Sequence, residues 1–138
     1  MYGELYRWNI ERDEWRCVDS LNTPPPRCSH QAAYYKEHLY VFGGEYATLD
    51  QFHHYKDMWC LDLKTNVWTE MKPSGDLPCA RSGHRMLVWR GFLVLFGGFY
   101  EALRDMRFFN DVYLFSFQEV RHIYTFTYID TYIPTYYL

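Results

Sequence analysis

The fold of this chain is decided by the stretch Leu39-Tyr40-Val41-Phe42-Gly43-Gly44 and by its copy, Leu93-Val94-Leu95-Phe96-Gly97-Gly98. Each stretch is a short run of aliphatic and aromatic side chains, which is typical of a β-strand, and two glycines end it. The copies lie 54 residues apart. A repeat of this length indicates a solenoid or a propeller.

The surroundings of the two glycine pairs match at the same offset. Before them, Arg27-Cys28-Ser29-His30 aligns with Arg81-Ser82-Gly83-His84, and after them, Tyr55-Lys56-Asp57-Met58-Trp59 aligns with Phe109-Asn110-Asp111-Val112-Tyr113. A partial third copy comes first in the chain, because residues 4–10 resemble the segment that begins at Asp57. Several matches at one offset are hard to obtain by chance.

Each repeat is predicted to hold four short strands, because apolar runs alternate with turn residues. No long segment with a period of 3.6 and helix caps is present, so little helix is expected. The predicted strands are 31–35 and 85–89 (first), 39–42 and 92–96 (second), 58–63 and 112–117 (third) and 67–71 (fourth).

Composition limits the classes of function. The 138 residues leave room for one ordinary domain, and the formal net charge is −3 with no basic stripe, so nucleic acid and membranes are not expected partners. The four cysteines form no CxxC pair, and neither a secretory signal nor a transmembrane span is expected. We therefore expect a reduced, intracellular protein in the cytoplasm.

The entry Arg81-Ser82-Gly83-His84, the glycine pairs and the run Asn110-Asp111-Val112-Tyr113 resemble the marks of the kelch-repeat family. The resemblance implies a β-propeller of four-stranded blades around a central channel. We expect an all-β fold, a partial kelch-type propeller of about two to two-and-a-half antiparallel blades that does not close. Its predicted parts are the last two strands of a blade (1–25), a complete blade (26–79), three strands of a further blade (80–117) and an atypical tail rich in tyrosine and threonine (118–138).

Residues that recur once per repeat are interpreted as blade-building devices rather than catalytic groups. The glycines are expected to relieve backbone crowding, the arginines and histidines to form buried hydrogen bonds with backbone, and the aromatic rings to fill gaps between blades. These predicted structural residues are Gly43, Gly44, Gly97, Gly98, Arg27, His30, Arg81, His84, Trp15, Trp59, Trp68 and Tyr113.

A metal site is the competing interpretation for Glu45, His53 and His54. Adjacent histidines in an extended segment point to opposite sides, and the second repeat has no counterpart, so a solvated loop is preferred. The kelch family also includes copper-radical oxidases, but Cys60 and Cys79 lie in no pattern that matches theirs. No catalytic residue, metal ligand or cofactor is predicted.

Binding is predicted at one end of the blades. In an up-and-down sheet, the long loops 45–55, 99–109 and 72–80 all lie at the same end. Their aromatic and arginine side chains are typical of interface hot spots. The predicted partner-binding residues are Glu45, Tyr46, Phe52, His54, Tyr100, Glu101, Arg104 and Arg107.

The resemblance implies a non-enzymatic scaffold for protein–protein interaction, within a parent protein that acts as an adaptor. The expected partner is a protein, with no nucleic acid, membrane or small-molecule substrate. Two alternatives stay open: the parent is a kelch-propeller enzyme of the oxidase or epimerase type, or the chain is a truncated isoform without a function of its own.

Overall fold

The computed structural model describes residues 3–102, 105–118 and 122–126 of the chain. Every regular element in those ranges is a β-strand, which confirms the expected all-β fold. The strands are β1 (Leu5–Asn9), β2 (Glu14–Val18), β3 (Gln31–Tyr35), β4 (His38–Phe42), β5 (Glu45–Ala47), β6 (Phe52–His54), β7 (Met58–Asp62), β8 (Val67–Met71), β9 (Ser74–Gly75), β10 (Arg85–Trp89), β11 (Phe92–Phe96), β12 (Phe99–Ala102), β13 (Asp105–Phe108), β14 (Val112–Ser116) and β15 (His122–Phe126).

Three successive sheets have the arrangement of propeller blades. β1 and β2 form an antiparallel hairpin, and β3, β4, β7 and β8 form a four-stranded antiparallel sheet in that order. The strands β10, β11, β14 and β15 repeat this order, and the short β9 joins the edge of β15 in parallel. Within the described ranges the sheets do not close into a ring, which confirms the predicted open, partial propeller.

In the middle and the last sheet, the third strand of the meander ends one residue earlier than predicted, because its last side chain caps the turn that follows. In β7, Oδ1 of Asp62 accepts hydrogen bonds from the backbone N–H groups of Lys64 (2.8 Å) and Thr65 (3.0 Å). In β14, the hydroxyl of Ser116 accepts a hydrogen bond from the N–H of Gln118 (3.2 Å). Such local side-chain bonds compete with continuation of the strand.

Two of the long connections predicted as solvated loops are ordered hairpins. β5 pairs with β6, and β12 pairs with β13, both antiparallel. Thr48 closes the first hairpin, because its N–H donates to the carbonyl oxygen of Gln51 (2.8 Å) and its Oγ1 accepts from the N–H of the same residue (3.1 Å). Each hairpin lies between the second and third strands of a sheet, at the end where the predicted binding face lies.

The fourth strand of the last sheet comes from the segment predicted to be an atypical tail. The predicted division gave residues 80–117 three strands, but β15 pairs with β14 and completes the sheet. In this pairing Ile123 lies opposite Phe115, as Trp68 lies opposite Leu61 in the preceding sheet. Threonine, isoleucine and tyrosine favour strand, which accounts for the pairing despite the missing tryptophan. The rest of the predicted tail, 127–138, lies outside the described residues.

The core lies between facing sheets. Val41 and Phe42 are adjacent in β4 and therefore point to opposite faces of the middle sheet, so this sheet contributes to two clusters. Full burial of one large apolar side chain stabilises the folded state by about 1.5–3 kcal/mol. One cluster holds Phe42, Met58, Met71, Met86, Leu93, Leu95, Phe115 and Ile123, and the other holds Val41, Leu61 and Trp68, with Leu5 of β1 packed against it.

The tryptophans predicted to fill gaps between blades differ in burial. Trp68 is buried and Trp59 is half-buried. Trp15 is 68% exposed and stacks on Trp8, with the ring centroids 6.1 Å apart. This corrects the prediction for Trp15: in the part of the chain that the structure describes, β2 pairs only with β1, and no sheet covers its ring.

Candidate functional site

The glycine pairs hold the backbone where no side chain fits. Gly44 and Gly98 have φ angles of +92° and +94°, which other residues rarely adopt. A Cβ atom would lie 2.6 Å from the carbonyl oxygen of Cys28 at the first position and 2.7 Å from that of Ser82 at the second. At Gly43 a Cβ atom would lie 2.5 Å from the carbonyl oxygen of Arg81, in the next repeat. The glycines therefore permit close approach both within and between blades.

A buried arginine joins three parts of each blade. The guanidinium of Arg81 donates to the carbonyl oxygen of Gly97 (3.0 Å) and makes two hydrogen bonds to the carboxylate of Asp111 (2.5 and 3.0 Å). It also donates to the carbonyl oxygen of Cys79 (3.2 Å) and lies 4.0 Å from the ring centroid of Phe109. These contacts tie the start of the blade to both ends of the hairpin connection.

Arg27 makes the same contacts one repeat earlier. It donates to the carbonyl oxygen of Gly43 (3.1 Å) and makes two hydrogen bonds to the carboxylate of Asp57 (2.6 and 2.8 Å), while its guanidinium lies 4.0 Å from the ring of Tyr55. Burial raises the pKa of Asp57, but hydrogen bonds from Arg27 and Trp59 outweigh this, and the pKa lies below 3.8. The sequence prediction missed both carboxylates, although they recur at the offset of 54.

The histidine of each repeat does not form the buried hydrogen bonds that the sequence predicted. His84 is 1% exposed, and neither of its ring nitrogens has a hydrogen-bond partner among the described residues. Burial, followed by the nearby charge of Arg81, lowers the pKa of His84 to about 4. The pKa of His30 is also lowered, by burial and then by Arg27. Both histidines are therefore packing elements that lie beneath glycines.

His54 joins the two hairpins and is not the solvated loop residue that the sequence predicted. Its side chain is buried, and its Nε2 accepts a hydrogen bond from the backbone N–H of Glu101 in β12 (2.9 Å). Because Nε2 accepts, Nδ1 carries the proton and donates to the hydroxyl of Ser82 (2.7 Å). Burial lowers the pKa of His54, opposed by Glu45 and Glu101. The two hairpins consequently form one continuous surface.

The aromatic residues predicted to bind a partner lie on this surface. Phe52 of β6 is 45% exposed and packs edge-on against His54, with the centroids 5.1 Å apart. Tyr46 of β5 stacks on His53 at 5.5 Å, and Tyr100 of β12 lies tilted against His54 at 5.1 Å. The structure thus brings aromatic rings from both hairpins together around one buried histidine.

The charged residues predicted to bind a partner differ in accessibility. Glu45 is half-buried, with its Oε2 3.8 Å from Nδ1 of His54. Glu101 is exposed, and Arg107 is exposed and pairs with Asp105 of the same strand at 2.7 Å. Arg104 lies outside the described residues. Within the hairpins as described, Glu101 and Arg107 are the predicted charges that face solvent.

Exposed apolar side chains extend the hairpin surface beyond the predicted residues. A groove of about 600 Å³ lies between the hairpins, with Phe52 on one side and Tyr100 on the other. Leu49 at the first turn is fully exposed, and Met106 and Phe108 of β13 are 53% and 77% exposed. The sequence prediction missed these three residues, because it treated the segments as loops. We call the surface of β5, β6, β12 and β13 the hairpin face.

The competing metal interpretation is tested by the positions of its residues. His54 is buried and His53 is exposed, because adjacent side chains of a β-strand point to opposite faces. No group of three or more histidine, cysteine, aspartate or glutamate side chains in the described ranges is placed to hold a metal ion. The four cysteines form no disulfide. Among the described residues, no helix is long and apolar enough to cross a membrane.

Comparisons with known proteins agree with this architecture. A family model described as the KLHDC2/KLHL20/DRC7 Kelch-repeats domain matches residues 1–133. Rho GTPase-activating protein gacHH of Dictyostelium discoideum is 31% identical over 102 residues, which are 71% of this chain and 7% of that protein. Kelch domain-containing protein 3 of Homo sapiens is 27% identical over 120 residues, or 83% of this chain and 31% of that protein.

Alpha-scruin of Limulus polyphemus is 33% identical over 101 residues, which are 70% of this chain and 10% of that protein. The chain spans less than a third of the length of each of these curated relatives. The family model covers nearly all of the chain and coincides with the repeat that the glycine pairs mark. The chain therefore belongs to the kelch-repeat family.

Proposed function

We propose that this chain is a non-enzymatic protein-interaction module and that it binds a protein partner on the hairpin face. The observation that carries the proposal is the ordered surface of two hairpins, with exposed Leu49, Phe52, Met106 and Phe108 around a groove. Apolar and aromatic side chains held on a rigid scaffold are the usual anchors of a protein interface. Kelch repeats are in general protein-interaction modules, which supports the same reading.

The charged side chains that recur in each repeat already have structural partners. Arg81 and Asp111 satisfy each other, and Arg27 and Asp57 do the same. The structural role of these four side chains supports the proposal that the chain is not an enzyme. The parent protein is proposed to be an adaptor, and its compartment to be the cytoplasm.

Two finer assignments from the sequence are proposals as well. One is the division into blades at 1–25, 26–79 and 80–117, to which the structure adds β15 as a fourth strand. The other is a resemblance to kelch domain-containing protein 4, suggested by Tyr55-Lys56-Asp57 and Gly83-His84-Arg85-Met86. None of the relatives named above is that protein, so only membership of the family carries the function proposed here.

Quantitative affinity purification of the chain from cells tests the binding face. The test variant carries Tyr100→Ala and Arg107→Ala on the hairpin face, together with Arg104→Ala, a predicted partner-binding residue that lies outside the described residues. Loss of an aromatic anchor and two cations from an interface is expected to weaken binding at least tenfold. The recovery of each specific partner should fall accordingly.

A matched control variant carries Tyr34→Ala, Lys64→Ala and Arg90→Ala, near the turns at the opposite end of the sheets. It removes one tyrosine and two cations, as the test variant does, and should leave partner recovery unchanged. If every partner of the wild-type chain is recovered equally with the test variant, the assignment of the hairpin face is wrong.

A further inference from the structure

A second cavity lies between the middle sheet and the last sheet, and it adjoins the groove of the hairpin face at Ala80. Its volume is about 590 Å³, and its walls are mainly apolar. Met58 and Met71 line it from the middle sheet, and Leu93, Leu95 and Ile123 line it from the last sheet. Ligand pockets in proteins commonly have volumes of about 300–1,000 Å³ and mostly apolar walls.

The repeat supplies an internal reference for this cavity. The equivalent space between β1 and the middle sheet has a volume of about 170 Å³ and is lined by Leu39, Val41 and Trp68. Leu39 and Val41 are the counterparts of Leu93 and Leu95 at the offset of 54. The two cavities therefore occupy the same position in successive repeats and differ in size.

One difference between the two cavities is the residue on the fourth strand. Trp68 lies opposite Leu61 in the middle sheet, and Ile123 lies opposite Phe115 in the last sheet, where Phe115 is the counterpart of Leu61. Both side chains are buried, at 7% and 6% exposure. Isoleucine is smaller than tryptophan, so the fourth strand of the last sheet fills less of its cavity than Trp68 fills in the preceding repeat.

We propose that the cavity beside Ile123 binds a planar aromatic small molecule of about the size of indole. A largely apolar cavity takes up such molecules because they make dispersion contacts with its walls and remove apolar surface from water. Two of the carboxylates that line it are already paired, Asp57 with Arg27 and Glu70 with Lys72. Lys56 also lines the cavity, but its walls are mainly apolar, so the apolar side chains are expected to provide most of the binding.

Calorimetric titration of the complete 138-residue chain with indole tests the proposal. The expected result is saturable binding with a dissociation constant on the order of 1 mM or below. In the Ile123→Trp variant the larger ring occupies part of the cavity, where indole is expected to bind. Indole binding should weaken at least tenfold, and the urea midpoint of unfolding should rise.

The matched control is Leu87→Trp, because Leu87 lies on β10 with 55% of its surface exposed and is not in the cavity wall. It should bind indole as the wild type does. Should Ile123→Trp fail to fold, nuclear Overhauser contacts in the wild type decide: indole protons should contact the methyl groups of Ile123 and Leu95 and not those of Leu87. Absence of saturable binding, contacts at Leu87 instead, or undiminished binding by folded Ile123→Trp would each overturn the proposal.

Discussion

At the scale of single residues, a buried ion pair holds each blade in shape. Arg81 is 0% exposed and shares two hydrogen bonds with Asp111, while Arg107 is exposed and pairs with Asp105. The chain thus contains the same type of pair in two environments. Removal of one member of a buried pair leaves an uncompensated charge, which costs much more than loss of an exposed pair.

Replacement of Arg81 by alanine should therefore lower the free energy of unfolding by about 3 kcal/mol, since the half-buried carboxylate of Asp111 loses its partner. Equilibrium urea unfolding followed by tryptophan fluorescence measures this change. Arg107→Ala is the control and should leave the urea midpoint within experimental error. Equal effects of the two substitutions would show that the buried pair does not stabilise the blade.

The sequence predicted the arginines of the buried ion pairs but not their carboxylate partners. The offset of 54 identified Arg27 and Arg81 as structural, and their hydrogen bonds to the carbonyl oxygens of Gly43 and Gly97 are of the expected kind. Their carboxylate partners lie 30 residues further along the chain, a separation that no local pattern connects. The prediction that His84 forms buried hydrogen bonds was wrong, because a sequence does not show whether a polar ring is packed beneath a glycine.

At the scale of elements, the hairpins are the feature that the sequence did not predict. Their strands have three or four residues, too few for the period of two to stand out from a polar loop. The sequence left open that residues 121–129 pair with the strand before them, and β15 does so although the tryptophan of the preceding repeat is absent. By contrast, the strands of the middle sheet agree with their predicted positions to within a residue, since apolar alternation and turn residues mark them together.

Replacement of His54 by alanine should loosen the hairpin face. The N–H of Glu101 and the hydroxyl of Ser82 would both lose their buried partner, which should lower the free energy of unfolding by about 2–3 kcal/mol. Hydrogen exchange at the amide of Glu101 should become faster as well. The control is His53→Ala on the same strand, where the exposed ring should affect neither quantity. Unchanged exchange at Glu101 in His54→Ala would contradict the role of His54 as the link between the hairpins.

At the scale of the whole molecule, buried neutral histidines should make stability depend on pH. The pKa of His84 is lowered to about 4 in the folded chain, by burial and then by Arg81, His30 and Arg85, against 6.5 when unfolded. The unfolded chain therefore binds the proton first as the pH falls. Stability from the neutral ring is complete above about pH 6.5 and is lost between there and about pH 4.

This loss should amount to about 3 kcal/mol for His84, with further contributions from His30 and His54, whose pKa values are lowered too. Urea midpoints measured between pH 7 and pH 4 give the slope of stability against pH. His84→Leu should flatten it, while His53→Gln, which alters an exposed histidine, should not. A slope that is the same in His84→Leu as in the wild type would show that His84 does not titrate as its burial requires.

The repeat made the architecture of the whole molecule predictable, because two glycine pairs and their surroundings recur at one offset. The sequence predicted where the partner surface lies, at the end of the blades that carries the long connections. Which side chains face solvent there depends on how the two hairpins pack around His54, and this contact joins residues from different repeats.

The central claim, that a protein binds the hairpin face, is tested most directly by site-specific photo-crosslinking in cells. A photoreactive phenylalanine analogue replaces Phe52 or Phe108 on the hairpin face, or Trp89 next to a turn at the opposite end, all of which are at least 45% exposed. The account predicts that the analogue at Phe52 and at Phe108 crosslinks to the same protein and that the analogue at Trp89 does not. Crosslinking of that protein from Trp89, with none from the two hairpin positions, would contradict it.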